Sequence, residues 1–302
     1  MNRKQKRPLS VERKIKRTAW FFLLPWLVGL VYFFLIPFVQ SIVFSFNRVT
    51  IGENGLVYAA QGLENYRYIL LEDANFLRDA ATQVGSLAVN IPIILFFSAF
   101  VALLLNTRFR GRMLARSLFF LPVIIASGVV IEIIQNDVFT SNVMRADTST
   151  FQTAAVSEIL ARLNFDDKLI SVYTSVTSQV FDLSWKTGVP ILLFLSALQG
   201  IPETYYEVAS IEGANRWESF WKITFPSLMP ACMLVTIYAI VDSFTDMDNQ
   251  VMRSMVSRFN DMKYGYASAS AILYFLMIIV VLLLVVSVFF RNVVRERGGA
   301  RG

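Results

Sequence analysis

Three carboxylates crowd one short stretch of the chain. Glu203, Glu207 and Glu212 lie within Ile201-Pro-Glu-Thr-Tyr-Tyr-Glu-Val-Ala-Ser-Ile-Glu-Gly-Ala-Asn-Arg-Trp-Glu-Ser-Phe-Trp-Lys-Ile-Thr-Phe-Pro226, and no basic residue precedes Arg216 there. Glu203 and Glu207 are four apart, so on a helix they share a face. Pro202 suits a first helical turn, where its missing N–H goes unmissed. Gly213 suits the left-handed end of a helix. Asn215 followed three residues later by Glu218 has the spacing of a capping box. Trp217, Phe220, Trp221 and Thr224 fall at i, i+3, i+4 and i+7, and Pro226 is expected to end the segment. The stretch therefore reads as two short helices joined at a bend. It could lie on lipid with its aromatic rings at the headgroups. Lipid-lying helices usually carry Lys and Arg on the polar face, however. An acidic face is repelled by anionic lipid and suits a basic protein pocket, which favours docking.

Other candidate chemistry is sparse. The chain has no His and a single Cys, Cys232, which excludes imidazole acid–base work, an intrachain disulfide and a cysteine metal cluster. No Gly-x-x-x-x-Gly-Lys-[Ser/Thr] phosphate loop occurs, so ATP hydrolysis by that route is excluded. No cofactor or metal is expected. Glu132, Asp182 and Asp242 stand inside apolar surroundings, where an ionisable group is a functional candidate by default. Each lies near a predicted outer end, so reaching out to water is the competing explanation. Asp182 and Lys186, at i and i+4, can meet on one helix face.

These residues need a scaffold, and composition states its class. Of 302 residues, 55% are hydrophobic and 17% charged, with mean hydropathy +0.54. A soluble domain carries about 25% charged residues. Uncharged runs join Thr18 to Asn47, Ala80 to Thr107, Ile223 to Val241 and Tyr264 to Phe290. About 20 apolar residues as a helix cross a bilayer. The last run, at about 1.5 Å per residue, reaches about 40 Å. It does not alternate, which excludes a transmembrane β-barrel. The sequence predicts an all-α polytopic membrane protein with six transmembrane helices at about 19–46, 80–106, 114–136, 177–199, 227–246 and 266–290. Basic tails at 1–18 and 291–302 flank a membrane domain at 19–290, with the acidic loop at 200–226. The first span is twice as long as a signal-peptide core and reads as retained.

Charge orients these spans. With both termini inside, 18 Lys/Arg fall in cytoplasmic segments and nine in outer ones. Short cytoplasmic loops favour Lys and Arg, which supports that orientation in a cell membrane and explains the basic pI without nucleic acid. The 200–226 loop departs from this bias, with two basic residues against four acids. Of the outer segments, 47–79 is expected to pack at the membrane surface, and 137–176 reads as a polar flap or insertion.

The loop also carries a resemblance. Glu207-Val-Ala209, three residues, Gly213, nine residues and Ile223-Thr-Phe-Pro226 resemble the EAA signature of binding-protein-dependent ABC importer permeases. The wider Ile-Pro-x-x-x-Tyr-Glu-x-Ala string, and Phe109-Arg-Gly-Arg leading to Arg116-Ser-Leu-Phe-Phe-Leu-Pro122, are similar to the carbohydrate branch, the maltose and glycerol-3-phosphate permease type. Val208, Glu212 and Phe225 depart from the usual pattern but keep its apolar or acidic character. The resemblance implies a type I importer fold whose loop is a coupling helix docked on a separate ATPase. It casts Glu207 as charged anchor, Ala209 as a close-packing position and Gly213 as the bend. Glu203, Ile211, Trp217, Ile223 and Pro226 belong to the same coupling element. Implied partners are a second homologous permease as a heterodimer, two ATP-binding cassette subunits holding ATP and Mg, and an extracytoplasmic solute-binding protein. Along the substrate path, Asn90, Glu132, Asp182 and Asp242 are the candidates, with Gln135 and Asn136 able to bond sugar hydroxyls. The alternative is an ion-coupled carrier or channel subunit, which leaves the acidic loop unexplained.

Overall fold

The structure is a computed structural model that describes residues 11–52, 55–107, 109–114, 116–117, 166–246 and 249–299. Helix dominates. In chain order the elements are α1 (Val11–Leu30), a π-turn (Val31–Leu35), α2 (Ile36–Ser45), β1 (Asn47–Gly52), β2 (Gly55–Ala60), α3 (Glu64–Leu71) and α4 (Ala74–Asn106). After the undescribed stretch come α5 (Asp167–Gln199), α6 (Glu203–Ile211), α7 (Arg216–Ser219), a second π-turn (Phe220–Thr224), α8 (Phe225–Thr245), α9 (Gln250–Asn260) and α10 (Tyr264–Gly299).

Among the described residues, four helical runs are long and apolar enough to cross a membrane: Thr18–Ser45, Ala74–Asn106, one within Arg216–Asn260, and Tyr264–Phe289. The expected span at 114–136 lies almost wholly outside the described residues. The fourth expected span is present as α5 but begins at Asp167, ten residues earlier than predicted, so the end of the supposed 137–176 loop is helical. Asp166 caps it, accepting from the Lys168 N–H at 3.1 Å. Its first half is rich in Ser, Thr and charge, and α5 is not among the four apolar runs.

Prolines explain both π-turns. The N–H of Ile36, one residue before Pro37, bonds the Val31 carbonyl five residues back. The N–H of Phe225, before Pro226, does the same to Phe220. A proline ring clashes with the carbonyl four residues earlier. Widening the preceding turn relieves that clash, so the helix bends and continues. Pro226 therefore does not end the loop segment, as the sequence suggested; it is carried inside a helical run that leads into α8.

The chain forms two compact units, 1–81 with 247–277 and 82–246 with 278–302. In the first, β1 and β2 pair antiparallel from Asn47↔Ala60 to Gly52↔Gly55. This hairpin was missed in the sequence, although Asn54-Gly55 with Val49 and Ile51 before it and Val57 and Tyr58 after it is a hairpin signal. The Tyr66 hydroxyl donates to the buried Ser45 Oγ at 2.7 Å, and Asn65 Nδ2 donates to the Ser45 carbonyl at 2.9 Å. Gly265 is required here: a Cβ would stand 2.3 Å from the Asn47 carbonyl oxygen. The short helix α9, also unforeseen, buries Val251 and Met255, and Asn249 caps it while donating to the Tyr274 hydroxyl. By contrast Thr18–Ser45 offers its apolar side chains outward, Phe21, Phe22 and Phe33 being 73%, 76% and 78% exposed. Lipid is the solvent that tolerates such a surface.

The second unit has its core where α4, α5 and α8 meet. Ala102 and Val101, Ile191 and Phe194, and Ala231 and Val235 are buried there. Alanines at these contacts let backbones approach closely, which is how helices gain packing energy when the surroundings are as apolar as they are. Buried hydroxyls return to their own helix: Ser98 Oγ donates to the Ile94 carbonyl, and Thr236 Oγ1 to the Cys232 carbonyl.

Candidate functional site

Two regions of the second unit hold most of the described residues singled out in the sequence. The first is the elbow at 202–225. Pro202 sits one residue before α6 as its cap, extended at φ −59° and ψ 133°, rather than inside the first turn. The far end of α6 closes as a Schellman motif: the Ala214 N–H bonds the Ala209 carbonyl at 2.9 Å and the Gly213 N–H bonds that of Ser210 at 3.2 Å. Gly213 has φ +82°, which a side chain resists. Two residues later the capping box is complete. The Glu218 N–H donates to Asn215 Oδ1 at 2.8 Å, and the Asn215 N–H donates to Glu218 Oε2 at 2.9 Å.

The bonds that shape the bend thus lie within the elbow itself, and the angle between the short helices is set locally. Packing then ties the elbow to the spans. Ala209 is buried, Thr224 is buried, and the Tyr206 hydroxyl meets Thr224 Oγ1 at 2.8 Å. Trp217, Phe220, Trp221 and Phe225 form a ring cluster, with Trp221 and Phe225 centroids 5.0 Å apart. Ile223 is half-buried and Pro226 exposed. Much of the elbow nevertheless faces outward. Glu203, Glu207, Val208 and Glu212 are exposed, with Ile211 at 85% and Trp217 at 69%. Apolar side chains so exposed, framed by carboxylates, form a surface that a protein partner could bury.

The second region is a cavity of about 490 Å³ walled by α4, α5 and α8. It brings together Asn90 and Asp242, two of the four path candidates, with Lys186 and Ser243, over a floor of Leu87, Ile91 and Ile94. The Lys186 ammonium meets the Asp246 carboxylate at 2.9 Å, a pairing across helices. Asp182 lies one turn before Lys186 on α5, and its side chain falls outside the described residues, so the expected pairing of those two is not described. Glu132, Gln135 and Asn136 also lie outside them. The Tyr238 hydroxyl hydrogen-bonds Asp242 one turn away. Gln83 Nε2 donates to both the carbonyl and Oγ of Ser243, at 2.8 and 2.9 Å, fastening α4 to α8 beside the cavity. Gln83, Ser243 and the Lys186–Asp246 pair went unrecognised in the sequence. A lone polar residue on an apolar helix signals only that it needs a partner. Among the described residues, no group of three or more Cys, Asp or Glu could hold a metal ion.

No protein-family profile matches the chain. Curated proteins do. Over 283 residues the chain is 26% identical to the probable ABC transporter permease protein YesP of Bacillus subtilis, covering 86% of each. It is 29% identical over 280 residues to the multiple sugar-binding transport system permease protein MsmF of Streptococcus mutans, covering 86% of this chain and 91% of that one. A third relative, 28% identical over 246 residues, is the arabinooligosaccharides transport system permease protein AraP of Halalkalibacterium halodurans; the match covers 80% of this chain and 73% of that one. Among solved structures, a bacterial ABC transporter that imports the acidic polysaccharide alginate contains a chain of similar fold. Its TM-score is 0.61 at 16% identity, over 94% of this chain and 99% of that one.

Proposed function

We infer that the chain is the membrane-spanning permease subunit of an ABC importer for sugars or oligosaccharides. Sugar and oligosaccharide permeases among its relatives match it along most of its length, and the likeness in fold to an importer chain agrees. Without a phosphate-binding loop the chain is a transporter subunit rather than an enzyme, and ATP with Mg belongs on partner subunits.

The finer reading has six spans with both termini cytoplasmic, and residues 200–226 as a coupling loop. Glu207, with Glu203 beside it, meets a cation on an ATP-binding cassette subunit. Ile211 and Trp217 are covered by that subunit. Ala209, Gly213, Ile223 and Pro226 hold the loop's shape, and the Tyr206–Thr224 contact passes the motion of the ATPases to α8. A second homologous permease completes the pathway, an extracytoplasmic binding protein delivers the sugar, and rocking of the two halves gives alternating access. Asn90 and Asp242 line the path, and Asp182 and Glu132 are assigned to it from sequence alone. The observation that carries this reading is the self-contained elbow, with acids and unburied aromatic and aliphatic groups on its outer side. A lever needs a shape that survives being pushed.

Copurification tests it. Glu207→Lys reverses the anchor's charge on an exposed position, so membrane insertion and amount stay as in the wild type while the bound ATPase and uptake are lost. Retention of the ATPase by that variant, and by a chain lacking 203–221, refutes the coupling assignment.

A further inference from the structure

We propose that the turn after α4, residues 109–114, binds the headgroup of an anionic phospholipid. Arg110 and Arg112 take the phosphate, and Phe109, Met113 and Leu114 enter the upper acyl region. The inference needs only that α4 crosses a membrane, whatever the chain carries. Sequence supplies the charge. Between Asp79 and Glu132 the only charged residues are Arg108, Arg110, Arg112 and Arg116. They begin two residues past the end of α4 at Asn106, in one of the runs able to cross a bilayer. Orienting a span asks only for Lys or Arg. Here all four cations are arginine, whose planar fork can pair two phosphate oxygens at once.

The structure shows which arginines are available. Gly111 turns the chain between Arg110 and Arg112 at φ +93°, a conformation that favours glycine. Residues 109–114 line a hollow of about 520 Å³. Arg116 is engaged elsewhere, its Nη2 donating to the Leu105 carbonyl at 3.2 Å in the last turn of α4. The guanidinium groups of Arg110 and Arg112 make no ion pair or hydrogen bond among the described residues. Beside them Met113 and Leu114 are 76% and 74% exposed, and Phe109 is exposed too. Unpaired cations with bare apolar neighbours suit the boundary between headgroups and acyl chains. Along α4 itself Phe96, Phe100 and Leu104 are exposed at intervals of four, the two rings stacked, so a lipid-facing stripe leads to the turn. An acidic protein partner would answer the arginines and leave that apolar continuity unused.

The test uses the assembled importer with Cys232→Ala and Met113→Cys, labelled with bimane at residue 113, in phosphatidylcholine nanodiscs. A minor fraction of brominated phosphatidylglycerol or brominated phosphatidylcholine is added as quencher. Each arginine near an anionic surface is worth about fivefold in binding, so the anionic lipid is expected to quench at a concentration about tenfold or more lower. Arg110→Gln with Arg112→Gln is expected to make the two lipids equal. Arg110→Lys with Arg112→Lys is expected to keep part of the preference, because charge stays and the fork is lost. Should the double Gln variant fail to assemble, Arg110→Gln alone is expected to reduce the preference about fivefold. Equal quenching by both lipids in the wild type, or a preference that survives the Gln variants, overturns the proposal. Displacement of the lipid by inorganic phosphate also overturns it, in favour of a free-anion site. So does a label that neither lipid reaches until the ATPase is stripped, in favour of a protein contact. Copurification reads the coupling assignment separately, since its failure leaves the lipid preference unchanged.

Discussion

Replacing Gly213 by alanine isolates one physical contribution, because a Cβ at that position meets nothing within 4 Å. No steric clash is introduced. What remains is the backbone, held at φ +82° by the Schellman bonds that close α6. For an L-residue that conformation costs about 1–2 kcal/mol. The loop in its docking shape is therefore disfavoured about 5- to 30-fold relative to relaxed alternatives, and apparent affinity for the ATPase subunit falls by up to that factor. Gly213→Asn should recover part of the loss, since Asn visits the left-handed region more readily. The assay is a titration of the ATPase subunit onto the purified permease assembly, run alongside thermal unfolding. The strain is confined to the backbone of the bend and leaves the buried contacts among α4, α5 and α8 unchanged, so both variants should melt close to the wild type. Wild-type affinity for Gly213→Ala would refute the reasoning. So would equal weakening by Ala and Asn, because the cause would then not be the sign of φ.

Gly265→Ala is the complementary case, since its Cβ would approach the Asn47 carbonyl to 2.3 Å and Asn65 Nδ2 to 3.1 Å. Backbone must move, and we expect a loss of several kcal/mol, of order 3–5, seen as lowered yield and melting temperature; a wild-type melting curve would contradict the close approach. Asp73 supplies a pH dependence. Burial alone raises its carboxyl pKa, but hydrogen bonds from the Tyr266 hydroxyl and the Phe76 and Asn75 N–H groups, with the charge of Arg258, outweigh it and hold the group below its ordinary value. Its folded-state value is the depressed one, so its contribution is complete above the ordinary carboxylate range, about pH 4, and fades as pH falls through the lower folded value. Melting temperature between pH 6 and 3 should fall less steeply in Asp73→Asn, and an unchanged slope would remove Asp73 as the cause.

The elbow was largely legible in the sequence because it is made of local interactions. Gly at a helix end, Asn with Glu three residues on, and acids four apart each act within one turn of chain, so residue type and spacing suffice. The helices that cross the hydrophobic layer were legible for a similar reason, since their length and apolarity are properties of contiguous sequence. Where chain order misled, distant parts of the molecule or rare backbone geometry intervened. Pro226 looked like a terminator, yet a π-turn absorbs it. Lys186 meets Asp246, just past the end of α8, a partner that no spacing along the chain announces.

Sequence by itself determined that this is a helical membrane chain with an acidic, sharply bent loop, because hydrophobic run length, charge bias and capping chemistry are all written over a few neighbouring positions. Only the tertiary structure decided that Asn90, Lys186, Asp242 and Ser243 share one cavity. It also decided that Tyr206 reaches Thr224, and that Gly265 must lack a side chain. Those facts depend on how α4, α5 and α8 pack and on where remote backbone passes, and no spacing along the chain encodes which face of one helix meets which face of another.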